Sequence, residues 1–124
     1  MADKITSFKQ LRARQNARTL AVAVYKVTEK FPASEKFGLV SQLRRSAVSV
    51  AANIAEGFSR ATAKDKIHFY GMALGSLTES LSHVCIAQDL DFLDKTDIIY
   101  IEDQIRDLQK MIHGLIKNAP GRPA

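Results

Sequence analysis

"TDIIYIEDQIRDLQKMIHGLIK", residues 96–117, decides the fold. Ile98, Ile101, Ile105, Leu108, Ile112 and Leu115 recur at alternating spacings of three and four, and most positions between them are polar or charged. That period places every apolar side chain on one face of an α-helix. Thr96 can cap such a helix, Asp97 complements its dipole, and Lys117 and Asn118 suit its end. The spacing predicts a helix over 96–117. Ile67, Tyr70, Leu74, Leu77, Leu81 and Val84 repeat the pattern upstream and predict a helix over 63–88, opened by Thr62 with Asp65 three residues on.

Two further helices are expected nearer the N-terminus. Ala13, Ala17, Leu20, Ala21, Val24, Val27 and Phe31 predict one over 8–30, with Ser7 and Gln10 as a capping box and Phe31-Pro32 as its stop. Val40, Leu43, Ala47, Val50, Ala51, Ile54 and Phe58 predict one over 34–60, with Gly38 loosening its first turn. Short links between long helices favour antiparallel neighbours. The expected architecture is all-α: a single domain over 1–124, folded as an up-down-up-down antiparallel four-helix bundle. The tail 118–124 is expected to be disordered.

Composition agrees. A chain of 124 residues can bury one core, and three prolines and six glycines are too few for a many-turned β fold. The start, MADKITSFKQ, has no apolar signal-like region, and the longest apolar stretch, 47–55, is far short of the ~20 residues that span a bilayer. Cys85 lies among apolar neighbours and is expected in the core. These features place the chain in the cytoplasm, away from membranes.

Charge is uneven. Residues 1–62 carry 11 Lys/Arg against 4 Asp/Glu, and residues 63–124 carry 7 against 9. A basic half and a slightly acidic half fit a polyanion partner, self-association through opposite faces, or a basic surface that is merely solvated. Lys9, Arg12, Arg14 and Arg18 crowd the first helix, and Arg44 and Arg45 open the second. Arginine's planar fork suits phosphate. Aromatic residues are 7% of the chain with no Trp. Phe31, Phe58, Phe69 and Tyr70 are expected in the core, so backbone electrostatics is the expectation rather than base stacking.

"RRSAVSVAANIAEGFSR", residues 44–60, carries a second feature. At 100° per residue, Gln42, Arg45, Ser46, Ser49, Asn53, Glu56 and Arg60 form a polar stripe opposite the apolar one. Arg44 falls between, at the flank of the apolar face. Glu56 can pair with Arg60 and hydrogen-bond Asn53. Three readings stand: a solvated face, an interface or internal network that fixes register, and a ligand site. Gly71 and Gly75, four apart in the third helix, cost it about 1 kcal/mol each against alanine. The expected compensation is the close approach of another helix.

Catalytic signatures are missing. The di-iron pattern needs Glu-x-x-His on two helices, and the near match here is Glu79 with His83 at the wrong spacing. His68, His83 and His113 do not pair at ligand spacing, and no P-loop, Cys-x-x-Cys or nucleophile elbow occurs. No enzyme, metal or cofactor is expected.

The words Phe-Pro-x-x-Glu, Gly-Leu-x-x-Gln-Leu-Arg-Arg and Asn-Ile-Ala-Glu-Gly within 31–60, and Ala-x-Gly-Ser-Leu-x-Glu at 73–79, resemble the bacterial four-helix-bundle family encoded in intervening sequences of 23S ribosomal RNA genes. The likeness covers roughly 8–117. Ala52 departs from it, since members often have proline there. The resemblance implies a four-helix bundle assembled as a homopentameric ring, without a settled activity or catalytic residues. A related branch, the accessory variability proteins of diversity-generating retroelements, forms basic pentamers that bind nucleic acid and a reverse transcriptase. On this likeness Asn53 and Glu56 set helix or subunit register, joined by Arg60, Gly71 and Gly75 from the residue pattern, and Arg12, Arg14, Arg18, Arg44 and Arg45, with Lys9 of the same basic cluster, contact RNA or DNA. The alternative is a scaffold that docks a protein such as a reverse transcriptase without touching nucleic acid.

Overall fold

The computed structural model describes the backbone of residues 2–119 and the side chains of residues 8–119. Four helices follow in order: α1 Ala2–Thr28, α2 Leu39–Ser59, α3 Ala63–Asp89 and α4 Lys95–Lys117, with one 3₁₀ turn at Ala33–Glu35. There is no strand among the described residues. Each helix packs on two others around a square, α1 on α2 and α4, and α3 on α2 and α4. Neighbours run antiparallel, since Arg14 meets Phe58 where Tyr25 meets Arg44, and Asn16 meets Met111 where Lys30 meets Asp97.

Helix ends follow from local side chains. Thr62 accepts the Asp65 N–H at 3.2 Å and starts α3. At α4 the cap is Asp94, not Thr96: its carboxylate accepts the Asp97 N–H at 2.8 Å, and the helix begins one residue early. The expected Ser7–Gln10 capping box does not form, because α1 begins at Ala2 and Ser7 lies inside it. The region 34–38 is a 3₁₀ turn followed by a hydrogen-bonded turn rather than the first turn of α2, whose cap is Gly38. There the Glu35 carboxylate accepts the Leu39 N–H at 3.2 Å. α3 ends with Asp91 in the left-handed region, φ 60°. This turns the chain so that the Asp91 and Phe92 N–H groups reach back to Gln88 and Ala87. Residues 120–124 of the expected disordered tail lie outside the described residues.

All six apolar positions of α4 are buried. Buried Ala13, Ala17, Leu20, Val24 and Val27 of α1 face them and α2, and Phe31 meets Phe92 with ring centroids 5.5 Å apart, tilted by 51°, to close one end. On α3 the buried line is Lys66, Tyr70, Ala73, Leu77, Ser80, Val84 and Ala87. Leu74 and Leu81 are only half-buried and Ile67 is exposed, so the expected stripe is turned by part of a helical step. Cys85 is exposed, contrary to its core assignment, because it points away from that line. Phe58 and Phe69 also lie outside the core, at the surface under arginines.

The turn of α3 has a cause in α2. The serines of the polar stripe of 44–60 face α3, while Arg45, Glu56 and Arg60 of the same stripe are exposed. Ser46, itself buried, shares a 2.8 Å hydrogen bond with Ser80, and Ser49 shares one of 2.9 Å with Ser76. Small hydroxyl side chains that satisfy one another let two helices approach closely without orphaned donors. At the end of the pair, a Cβ on Gly57 would stand 2.5 Å from the Tyr70 ring, so only glycine fits. Lys66 is buried beside it and donates to the Gly57 and Phe58 carbonyls at 3.2 and 2.9 Å, satisfying the open end of α2. Burial lowers the Lys66 pKa from its ordinary value. The Tyr70 hydroxyl accepts from Gln10 of α1 at 3.0 Å, tying a third helix into the same layer.

Candidate nucleic-acid interface

Residues 8–28 of α1 contain Lys9, Arg12, Arg14, Arg18 and Lys26 and no acidic residue. None of the five takes part in an ion pair among the described residues, whereas Lys30, Arg45, Arg60 and Arg106 do. At 100° per residue, Arg14, Arg18, Lys26 and Arg12 spread over an arc of about 160° that faces away from the core. The basic residues therefore cover a helix face rather than drawing a line along it. Phe8, Leu11, Val22 and Tyr25 are interleaved with them, 44–65% exposed. Lys26 and these apolar residues were not singled out from the sequence. Their signal was present in the spacing, since Leu11, Arg18, Val22 and Tyr25 recur at seven, four and three residues.

The remaining expected contacts are held in different ways. Arg44 Nε donates to Thr28 Oγ1 at 2.9 Å, its Nη2 reaches the Tyr25 carbonyl at 3.3 Å, and its guanidinium lies 4.5 Å from the Tyr25 ring centroid. It thus secures the last turn of α1, where a cation complements the helix dipole. Arg14 lies 5.0 Å from the Phe58 ring centroid. Arg45 is farther round α2 and pairs with Glu79 at 3.2 Å, and Glu79 also meets His83 at 3.0 Å. Arg45 is therefore separated from the α1 face and partly neutralised. Glu79 and His83, weighed as metal ligands, form this surface cluster instead. Among the described residues no three metal-ligating side chains come together.

The register set divides as well. Asn53 donates to the Ser49 carbonyl and hydroxyl at 2.9 and 3.1 Å, not to Glu56. Glu56 pairs with Arg60 at 3.1 Å on the surface, and Arg60 lies 4.6 Å from the Phe69 ring centroid. Gly71 and Gly75 have nothing within 4 Å of a built Cβ. Among the described residues no helix packs closely against them, because α2 packs along a different edge of α3.

A groove of about 690 Å³ runs between α1 and α4, lined among others by Arg18, Val22, Lys26, Lys30, Asp97 and Tyr100. Its one carboxylate, Asp97, holds Lys30 at 2.8 Å and raises the lysine's pKa through that hydrogen bond and its charge. The α1 surface can thus offer fixed positive charge and exposed apolar rings to an anionic partner. No helix of the described residues is long and apolar enough to cross a membrane.

The model of one protein family, described as 23S rRNA-intervening sequence protein, matches residues 9–114. Among solved structures, the chain is similar to a protein of unknown function from the S23 ribosomal protein family of Bacteroides thetaiotaomicron. The TM-score is 0.81 and the identity 20%, over 88% of this chain and 98% of that one. At that identity the likeness concerns the fold. No curated protein matches the chain.

Proposed function

Given that the chain belongs to the 23S rRNA-intervening sequence protein family, we propose that it is a non-enzymatic, oligomeric binding protein of the bacterial cytoplasm that holds nucleic acid on α1. One observation carries this reading: from Phe8 to Thr28 every charged side chain is cationic, and none is neutralised by a carboxylate among the described residues. Unpaired cations on an exposed face attract a polyanion and release its counterions on contact. Arg12, Arg14 and Arg18 are the principal contacts, Lys9 and Lys26 extend them, and Arg44 contributes from α2. The partner is structured RNA or an RNA–protein complex.

The homo-oligomer, a pentamer by family likeness, is supported by the open Gly71–Gly75 face. Two interior glycines weaken a helix by about 1 kcal/mol each, and a second subunit packing there would recover that. Gly71→Leu should then lower the oligomeric mass in analytical ultracentrifugation, and an unchanged mass would remove this support.

Replacing Arg12, Arg14 and Arg18 together by alanine tests the nucleic-acid reading. Affinity for a labelled structured RNA should fall by at least tenfold, with the helical circular-dichroism signal retained. Unchanged affinity would exclude α1 as the interface. The apolar interleaving of Phe8, Leu11, Val22 and Tyr25 favours one second reading, a scaffold that docks a protein such as a reverse transcriptase. In that case no nucleic acid would bind near physiological salt, and Leu11→Asp would abolish capture of the partner.

A further inference from the structure

Two arginine–aromatic contacts close the ends of the surface groove between α1 and α2. The stripe of α1 that borders α2 reads Arg14, Arg18, Ala21, Tyr25, and the stripe of α2 that answers it reads Arg44, Ala51, Ala55, Phe58. Because the helices are antiparallel, Arg14 lies over Phe58 at one end and Arg44 over Tyr25 at the other. Each helix supplies the arginine at one end and the ring at the other. At 1.5 Å per residue the two contacts are about 16 Å apart along α1. The positions between are small, with Ala21, Ala51 and Ala55 half-buried, so the floor is shallow and apolar. Neither stripe contains an acid. Arg18 stands on the rim without an ion-pair partner among the described residues.

The rings are not core residues. Tyr25 is 44% and Phe58 36% exposed. The Arg44 plane is fixed further by its hydrogen bonds to Thr28 and to the Tyr25 carbonyl. A guanidinium 4.5–5.0 Å over a ring centroid offers a planar, charged group at the surface on which a base can stack. Bases can reach such a surface only where they are unpaired. Within a duplex they are stacked on each other, and only phosphates and sugars are offered to the protein.

We propose that the α1–α2 groove binds single-stranded nucleic acid, with unpaired bases stacking at Arg14–Phe58 and Arg44–Tyr25 and the backbone held by Arg18. The proposal rests on the nucleic-acid reading above and names its substrate: single strands, or the unpaired loops of a structured RNA, in preference to duplex. It also reverses the expectation that stacking has no part, which assumed that Phe58 lay in the core.

The test is fluorescence anisotropy on the full chain with a labelled single-stranded oligonucleotide and with a duplex of the same length, at one fixed salt. The expected result is a single-strand preference of at least tenfold that shrinks by fivefold or more in Arg14→Lys, because one stacked base is lost. Lysine keeps the charge and removes the plane. Arg14 makes no hydrogen bond among the described residues, so this variant should fold. Arg44→Lys also loses two hydrogen bonds, and is used only if its melting curve remains cooperative. Equal affinity for the two probes, or a preference unmoved by Arg14→Lys, would overturn the stacking proposal and leave the electrostatic reading standing. No binding of either probe would overturn both. Competition by an acidic peptide with no effect of strandedness would assign the groove to a protein.

Discussion

Replacing Gly57 by alanine probes the closest approach in the bundle. On helix propensity alone the change should help, because alanine is better than glycine by about 1 kcal/mol in a helix interior. The structure predicts the opposite sign. The added Cβ would lie 2.5 Å from Tyr70 Cε1 and 2.7 Å from Cδ1, where ordinary contact begins near 3.4 Å. Relief needs a shift of roughly 1 Å, a displacement that close-packed interiors resist. Tyr70 is fully buried and its hydroxyl is tied to Gln10, so the ring cannot swing aside without loosening that bond. Separating the helices instead would stretch the Ser46–Ser80 and Ser49–Ser76 bonds and the Lys66 contacts. Overpacking costs about 1–3 kcal/mol and a strained hydrogen bond about 1 more. After the propensity gain, the net loss is about 1–3 kcal/mol, a fall in Tm of about 4–12 °C for a domain of this size. Thermal melts by circular dichroism read it directly. Gly114→Ala is the internal control, since a Cβ there meets nothing within 4 Å and the substitution should raise Tm. A Gly57→Ala variant that melts at or above the parent would refute the account of α2–α3 packing.

Other consequences are equally specific. Lys66→Met leaves the Phe58 carbonyl without its donor and the Gly57 carbonyl with the Arg60 N–H alone, and should lower the unfolding free energy by about 1–3 kcal/mol, read as a lower urea midpoint at unchanged slope. Burial raises the Tyr70 pKa above its ordinary 10.0, so the folded chain keeps a proton that the unfolded chain releases. The resulting stabilisation is complete below the unfolded value and is lost as pH rises through the folded one. The parent's Tm should therefore fall more steeply above pH 10 than that of Tyr70→Phe, and parallel curves would contradict this. Asp91→Gly removes a side chain from the left-handed region and should raise stability by up to about 1 kcal/mol, read as a higher Tm.

Periodicity alone was enough for α4, where every apolar position of the three-and-four pattern is buried. It was less accurate for α3, because the pattern identifies an apolar arc but not which edge of it a neighbour will occupy. The close seating of α3 on α2 depends on Ser46, Ser49, Ser76, Ser80 and Gly57, residues that look like surface or helix-end residues when each helix is read alone. A polar stripe is outward only if its hydroxyls have no partner within the fold, and here the partners lie 27 and 34 residues away. Asp94 was overlooked as a cap for a simpler reason: Thr96 is also a good one, and composition does not rank two capping residues two positions apart. At the candidate site the cations of α1 were legible because charge needs no partner to be seen. Their pairing with Tyr25 and Phe58 was not, since each contact joins residues on different helices.

The salt dependence of binding bears most directly on the central claim. Anisotropy of a labelled RNA, titrated between about 50 and 200 mM salt, gives log K against log salt. Four cations on the outer arc of α1, without ion-pair partners among the described residues and engaging about one phosphate each, predict a linear fall with a slope near −3 for single strands. Replacing Arg12, Arg14 and Arg18 by alanine should reduce that slope to about −1. A flat line, or binding absent at every salt concentration, would contradict the claim that this helix holds nucleic acid.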